Sequence, residues 1–250
     1  YISGHAPWSN AYESLVYIAW ALSLSGIIFS KTSALSLALT SILAGITLFV
    51  AHLSMMDPQV GTIMPVLKSY WLTIHVSVIT ASYGFLGLCW LLGIFTLLLF
   101  IIQSKKPNDQ IINAINEATH INEMSMIFGL SLLTVGNFLG GVWANESWGR
   151  YWGWDPKETW ALITILVYAA VLHFRFIPRL NSQIAFAIAS AFAYSSVIMT
   201  YFGVNFYLTG MHSYASGEKV PVPTSIWVIG LTIIVLSILA FRKRRFSGRL

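Results

Sequence analysis

Charge is scarce in this sequence. Of its 250 residues only 9% are Asp, Glu, Lys or Arg, where a soluble domain carries roughly 25%. That scarcity, with 56% apolar residues and a mean hydropathy of +0.72, excludes a soluble globular chain. It reads as a polytopic membrane protein whose main solvent is lipid. Cysteine is scarcer still. The single thiol, Cys89, sits inside an apolar run. An internal disulfide and a C-x-x-C pair are both excluded, and any thiol redox chemistry must come from a partner. The sequence holds no H-E-x-x-H segment and no glycine-rich phosphate loop. It begins at Tyr1, not Met, and no signal peptide is visible at this start. The expectation is a fragment or a processed product. The net charge is +5, but the basic residues lie at the ends of apolar runs, which argues against a nucleic-acid partner.

What the sequence does have is long apolar runs. A membrane span needs about 20 such residues, and seven runs qualify, some marginally: 15–30, 34–53, 71–103, 124–142, 160–177, 184–208 and 226–241. The expected fold class is an all-α polytopic membrane protein of about seven transmembrane helices, one domain over residues 1–250. The connection 104–123 is polar and breaks at Lys105-Lys106-Pro107-Asn108-Asp109, with a short surface helix expected after it. The positive-inside rule orients the set. Lys31, Lys105, Lys106, Arg175, Arg179, Arg242, Lys243, Arg244, Arg245 and Arg249 fall on one side, and Lys68, Arg150, Lys157 and Lys219 on the other. The first side reads as cytoplasmic. The C-terminus is then cytoplasmic, the N-terminus is outside, and the connection 143–160 lies outside as well.

That connection is the most aromatic and the most polar segment at once. It reads Trp143-Ala144-Asn145-Glu146-Ser147-Trp148-Gly149-Arg150-Tyr151-Trp152-Gly153-Trp154-Asp155-Pro156-Lys157-Glu158-Thr159-Trp160 and holds half of the ten Trp. Tryptophan between spans serves as an interfacial belt, but anchoring alone needs no fixed Gly-Arg-Tyr-Trp-Gly-Trp-Asp-Pro core. Asp155, Pro156 and Glu158 read as a helix start, with N-cap, N1 and N3 of a capping box in order.

Histidine gives the segment a chemistry. His75 sits at the outer mouth of the third run and His212 in the last outer connection. His173 lies 13 residues beyond Trp160, roughly 20 Å into the fifth run, and an ionisable group at membrane depth is a functional candidate. His5, His52 and His120 read as ordinary hydrogen-bonded residues. A lone His at a helix mouth is usually an interface residue, but His75 and His212 bracket one aromatic platform. A haem site needs an aromatic surface, one or two axial ligands and donors for two propionates. Trp143, Trp148, Trp152 and Trp154 offer the surface. His75 and His212 offer both axial ligands, which leaves no open position for O₂. Arg150 reads either as a propionate partner or as a solvated loop charge. No two His share a helix at the spacing that stacks two haems in one bundle, which disfavours a simple cytochrome b-type protein.

The run from Trp148 to Trp160 resembles the WWD signature of the haem-handling proteins of cytochrome c biogenesis. Within them it is similar to the CcsA (ResC) family, the haem-channel half of the system II cytochrome c synthase. Ser9-Asn10-Ala11-Tyr12-Glu13-Ser14-Leu15 resembles the family's SNLYESL segment, with Ala11 where Leu is usual. Ser69-Tyr70-Trp71-Leu72-Thr73-Ile74-His75-Val76 and Gly210-Met211-His212-Ser213-Tyr214 resemble its two external histidine segments, and Leu172-His173-Phe174-Arg175 its intramembrane one. The resemblance implies that haem b (iron protoporphyrin IX) is taken from the cytoplasmic side through the intramembrane ligand His173. Haem is then presented outside between His75 and His212, on a surface to which Trp143, Trp148, Arg150, Trp152, Trp154 and Asp155 belong. There it is joined to the CxxCH thiols of apocytochrome c, as a cytochrome c haem lyase component would do.

The implied partners are apocytochrome c, a thiol-disulfide reductant protein, membrane lipid, and a CcsB (ResB-like) subunit or fused domain that supplies a second intramembrane histidine. The chain would be the CcsA half of a fused synthase or an obligate partner chain, in a bacterial plasma membrane or a thylakoid membrane. Family members often have an additional span upstream. The alternatives are a WWD-family haem chaperone or transporter without attachment activity, and a quinol-binding or scaffolding subunit whose Trp run is a belt.

Overall fold

The computed structural model describes residues 11–31, 33–53, 69–103, 107–211, 221–244 and 248–250. Among the described residues all regular structure is helical, and seven helices are long and apolar enough to cross a membrane. They are α1 (Ala11–Ser30), α2 (Ala34–Ala51), α3 (Tyr70–Ile102), α4 (Asp109–Trp148), α5 (Pro156–Leu172), α6 (Gln183–Ile198) and α8 (Thr224–Phe241). A 3₁₀ turn, His173–Phe176, extends α5, and a π-helical turn, Met199–Gly203, carries α6 into the short α7 (Val204–Tyr207) as one span. The chain is thus an all-α multi-pass membrane protein. Local chemistry sets the starts of three helices. Ser33 accepts from the Ser36 amide before α2, Ser182 from the Ala185 amide before α6, and Asp155 caps α5.

One expected element is different. The polar connection before the fourth span does not hold a separate short helix, because α4 runs unbroken for 40 residues from Asp109. Its first half buries Ile115, Ala118, Ile121 and Asn122 at helical spacing, so tertiary contact sustains the helix through a polar sequence. At about 1.5 Å per residue it is roughly 60 Å long, twice a bilayer core. Its other end runs through Trp143 to Trp148, so the first third of the Trp-rich connection is helix.

Contacts divide the chain into two compact units. The first is Tyr1–Leu88 with Phe128–Trp154, and the second is Cys89–Ile127 with Asp155–Leu250. In the first, α1 packs along α2. Gly84 of α3 lies against Ala21 and Leu22 of α1, where a Cβ would be only 3.4 Å away, and the rings of Phe29, Phe85 and Phe128 meet. Gly129, Gly136 and Gly140 share one face of α4. That face meets Leu86, Ile79 and His75 of α3 in turn. Small residues let two helix backbones approach closely, which matters most in lipid.

In the second unit the core gathers Leu97, Phe100, Ile115, Ile184, Ala187, Ala191 and Ile233. Polar ties close its edges: Lys243 donates to the Gln103 carbonyl at 2.8 Å, and Gln183 donates to Asn116 at 2.7 Å. Gly93 is where α3 meets α6; a Cβ there would stand 2.8 Å from the Ala187 carbonyl oxygen and 3.0 Å from the Ala191 nitrogen. Those backbone atoms cannot yield. Gly93→Val is expected to destabilise the protein by about 1–3 kcal/mol, read as a lower unfolding temperature in detergent. Gly45→Ala, where nothing lies within 4 Å of the new Cβ, is expected to be neutral or stabilising by up to about 1 kcal/mol. Equal melting of the two variants would disprove the packing argument.

Candidate functional site

The glycine face of α4 sets the first histidine. The His75 ring lies against Gly140, where any Cβ would come within 2.6 Å of Cε1. Its Nδ1 is 2.7 Å from the Gly136 carbonyl oxygen. A carbonyl only accepts, so Nδ1 carries the proton and Nε2 carries the lone pair. The Trp143 ring stacks on the imidazole, with centroids 6.2 Å apart and planes 10° from parallel, and Trp148 meets Trp143 at 4.8 Å. Trp143 is only 5% exposed and packs its ring beside the His75 imidazole. Ser69, at the start of α3, donates to the Glu146 carboxylate near the end of α4 and ties the two helices at this level.

Beyond α4 the chain turns sharply. Gly149 stands at φ +71° just past the helix, its amide donating to the Asn145 carbonyl at 2.9 Å, the usual place for a left-handed glycine. Arg150 folds back over Gly153, whose missing side chain leaves room for the guanidinium. Trp152 and Trp154 meet at 90°, 5.8 Å apart. Trp154 takes φ +59°, a conformation that costs a non-glycine residue about 1–2 kcal/mol. It leaves the indole 71% exposed, beside an exposed Tyr151.

Asp155 caps α5 as its sequence suggests. Its Oδ2 accepts from the Lys157 amide at 3.1 Å, and its own amide donates to Glu158 at 3.2 Å. The capping box is complete. Its other oxygen, Oδ1, accepts from the Met211 amide at 2.6 Å. Lys157 donates to Asn205 at 2.9 Å and lies 5.7 Å over the Tyr201 ring.

His173 ends α5, as C-cap and first residue of the 3₁₀ turn. Its Nδ1 lies 2.7 Å from the Ala169 carbonyl of its own helix, which again leaves the lone pair on Nε2. The residue is exposed, and Arg175 next to it pairs with Glu123.

Of the residues read as site candidates, His75, Trp143, Trp148, Arg150, Trp152 and Trp154 belong to the first unit, and Asp155 and His173 to the second. His212, and with it Ser213, Tyr214 and His5, lies outside the described residues. Sequence reasoning missed Gly136 and Gly140, although their place on one helix face with Gly129 was there to be read. It also missed the bond to Met211, for which no local signal exists.

Fold and site together define a multi-pass membrane protein with imidazoles of fixed tautomer, one braced by tryptophan at the mouth of a span. Residues 8–212 match the family described as "Cytochrome C assembly protein". The chain is 51% identical over 250 residues to Protein NrfI of Wolinella succinogenes, a match that covers 99% of this chain and 27% of NrfI. It is 39% identical over 235 residues to the cytochrome c biogenesis protein CcsA of Guillardia theta, covering 85% of this chain and 77% of that protein. Against CcsA of Chlamydomonas reinhardtii it is 37% identical over 219 residues. The chain belongs to the cytochrome c assembly family, and its role is in cytochrome c biogenesis. It spans about a quarter of the length of NrfI.

Proposed function

We propose that this chain holds haem b on the outer side of the membrane for covalent attachment to the CxxCH cysteines of apocytochrome c. The observation that carries the reading is the His75 imidazole, whose bond to Gly136 puts the lone pair on Nε2 and whose ring is braced by Trp143. A ligand histidine is normally oriented by such a bond from its other nitrogen. In this reading His212 is the second axial ligand, and Trp148, Trp152, Trp154 and Arg150 shape the surface for the disc and its propionates. Each cysteine sulfur bonds to one carbon of a haem vinyl group, and the thiol proton goes to the other carbon. No electrons are gained or lost, so the step needs only thiols kept reduced by a separate reductant protein. Holding haem and thiols together makes the attachment effectively unimolecular.

His173 serves as an intramembrane ligand on the route from the cytoplasm. The second ligand there comes from a CcsB (ResB-like) partner or from another part of a longer protein. The basic ends of the spans support a cytoplasmic C-terminus.

The test is to purify the protein with its partner and to co-express it with an apocytochrome c. A Soret band of low-spin haem is expected, together with haem that stays on the cytochrome after denaturation. Absence of the Soret band overturns the haem reading. A Soret band without covalent haem on the cytochrome overturns attachment and assigns transport or chaperoning instead.

A further inference from the structure

We infer that Asp155 is a positioning residue for the segment that leads into His212, and that Asp155, Gly210, Lys157 and Asn205 together staple that segment to the start of α5. The inference rests on the reading of His212 as a haem ligand. Capping alone does not account for Asp155. A helix cap needs one side-chain oxygen, and Ser33 and Ser182 supply one for α2 and α6. Asp155 is 6% exposed. One oxygen takes the Lys157 amide, and the other takes the amide of Met211, 56 positions along the chain. A charged acceptor strengthens both bonds, and the one from Met211 is short, at 2.6 Å. Met211 immediately precedes His212 in the sequence, so the bond to Asp155 holds the last backbone amide before that histidine.

Three further features converge on this contact. At Gly210 a Cβ would lie 2.6 Å from Asp155 Oδ1 and 2.8 Å from Pro156 Cδ, so only glycine lets the strand of chain come this near. Lys157, two residues into the same helix start, reaches the segment's other end through Asn205 and the Tyr201 ring. Tyr201 lies in the π-helical turn, and Asn205 follows it. Such a turn shifts the register of everything after it and is frequent at functional sites. Thr200, also in that turn, bonds to Thr164 at 2.9 Å and to the Trp160 carbonyl at 3.1 Å, anchoring the turn to α5.

The test uses Asp155→Ser, which keeps a capping oxygen but is too short to hold both amides, and Gly210→Ala, which leaves Asp155 intact. Both are made in the full protein with its partner. Hydrogen exchange at residues 209–211 is expected to quicken by about tenfold or more in both variants, while the start of α5 stays protected. The low-spin haem band is expected to fall and to return with added imidazole, which replaces a displaced histidine but cannot mend a frayed helix. His212→Ala provides the reference for that rescue. Unchanged exchange at 209–211 in both variants overturns the staple, whatever the haem result. Loss of haem that imidazole restores in His212→Ala but not in Asp155→Ser also overturns it, because Asp155 would then act only as a cap. If His212→Ala keeps its full haem band, the ligand reading of His212 fails, and the exchange data still decide whether the staple exists.

Discussion

Replacing His75 with alanine is expected to cut cytochrome c maturation by more than about 100-fold. Loss of a partner that merely orients a ligand costs a metal site roughly 10–100-fold, and here the ligand itself is lost. The structure makes this residue hard to substitute from within. Its ring is placed by three contacts, the Gly136 carbonyl, the Gly140 surface and the Trp143 stack. Removing the ring leaves a gap of imidazole shape walled by Trp143 and the glycine face. Imidazole supplied at millimolar concentration is expected to enter that gap and to restore part of the low-spin band and part of the maturation. The measurement is the absorption spectrum of the purified variant alongside the yield of covalent haem on a co-expressed cytochrome. Wild-type yield in His75→Ala without imidazole would remove His75 from the site.

The parts of this arrangement that were legible in the sequence are those written in local chemistry. Seven apolar runs of sufficient length became seven spans, since a membrane span must satisfy its backbone within itself. Asp155-Pro156-Lys157-Glu158 became a complete capping box, because caps depend on residues three apart. Contacts between distant residues were not legible. His75 and Trp143 stack across 68 positions of chain, and only the glycine face of α4 makes that approach possible. The stretch 143–160 is helical through Trp148 and carries Trp143 into the core, and the exposed aromatics of the turn are Tyr151 and Trp154. The 40-residue reach of α4 was hidden by its polar first half, where tertiary burial of Ile115 and Ile121 outweighs hydropathy. The π-helical turn leaves no mark in propensity at all.

Replacing His173 with alanine is expected to empty the outer site as well as the inner one, although His75 is untouched. The argument starts from the exposed side of α5. Leu166, Ala170 and His173 fall four and three residues apart, on one helix face, and all three are exposed. His173 ties its own Nδ1 back to Ala169, so the lone pair on Nε2 belongs to a ring carried on that uncovered face. In the proposed reading that imidazole fills one axial position of a haem iron, and the other is filled by a partner or by another part of a longer protein. If haem passes this point before reaching His75, loss of His173 starves both sites, whereas loss of His75 empties only the outer one. Total haem per protein is therefore expected to fall by more than about tenfold in His173→Ala, and to fall only in part in His75→Ala. Spectra of the two variants, taken on the protein purified with its partner, separate the cases. Full loading of the outer site in His173→Ala would break the proposed order of transfer, because haem would then reach His75 without passing the intramembrane ligand.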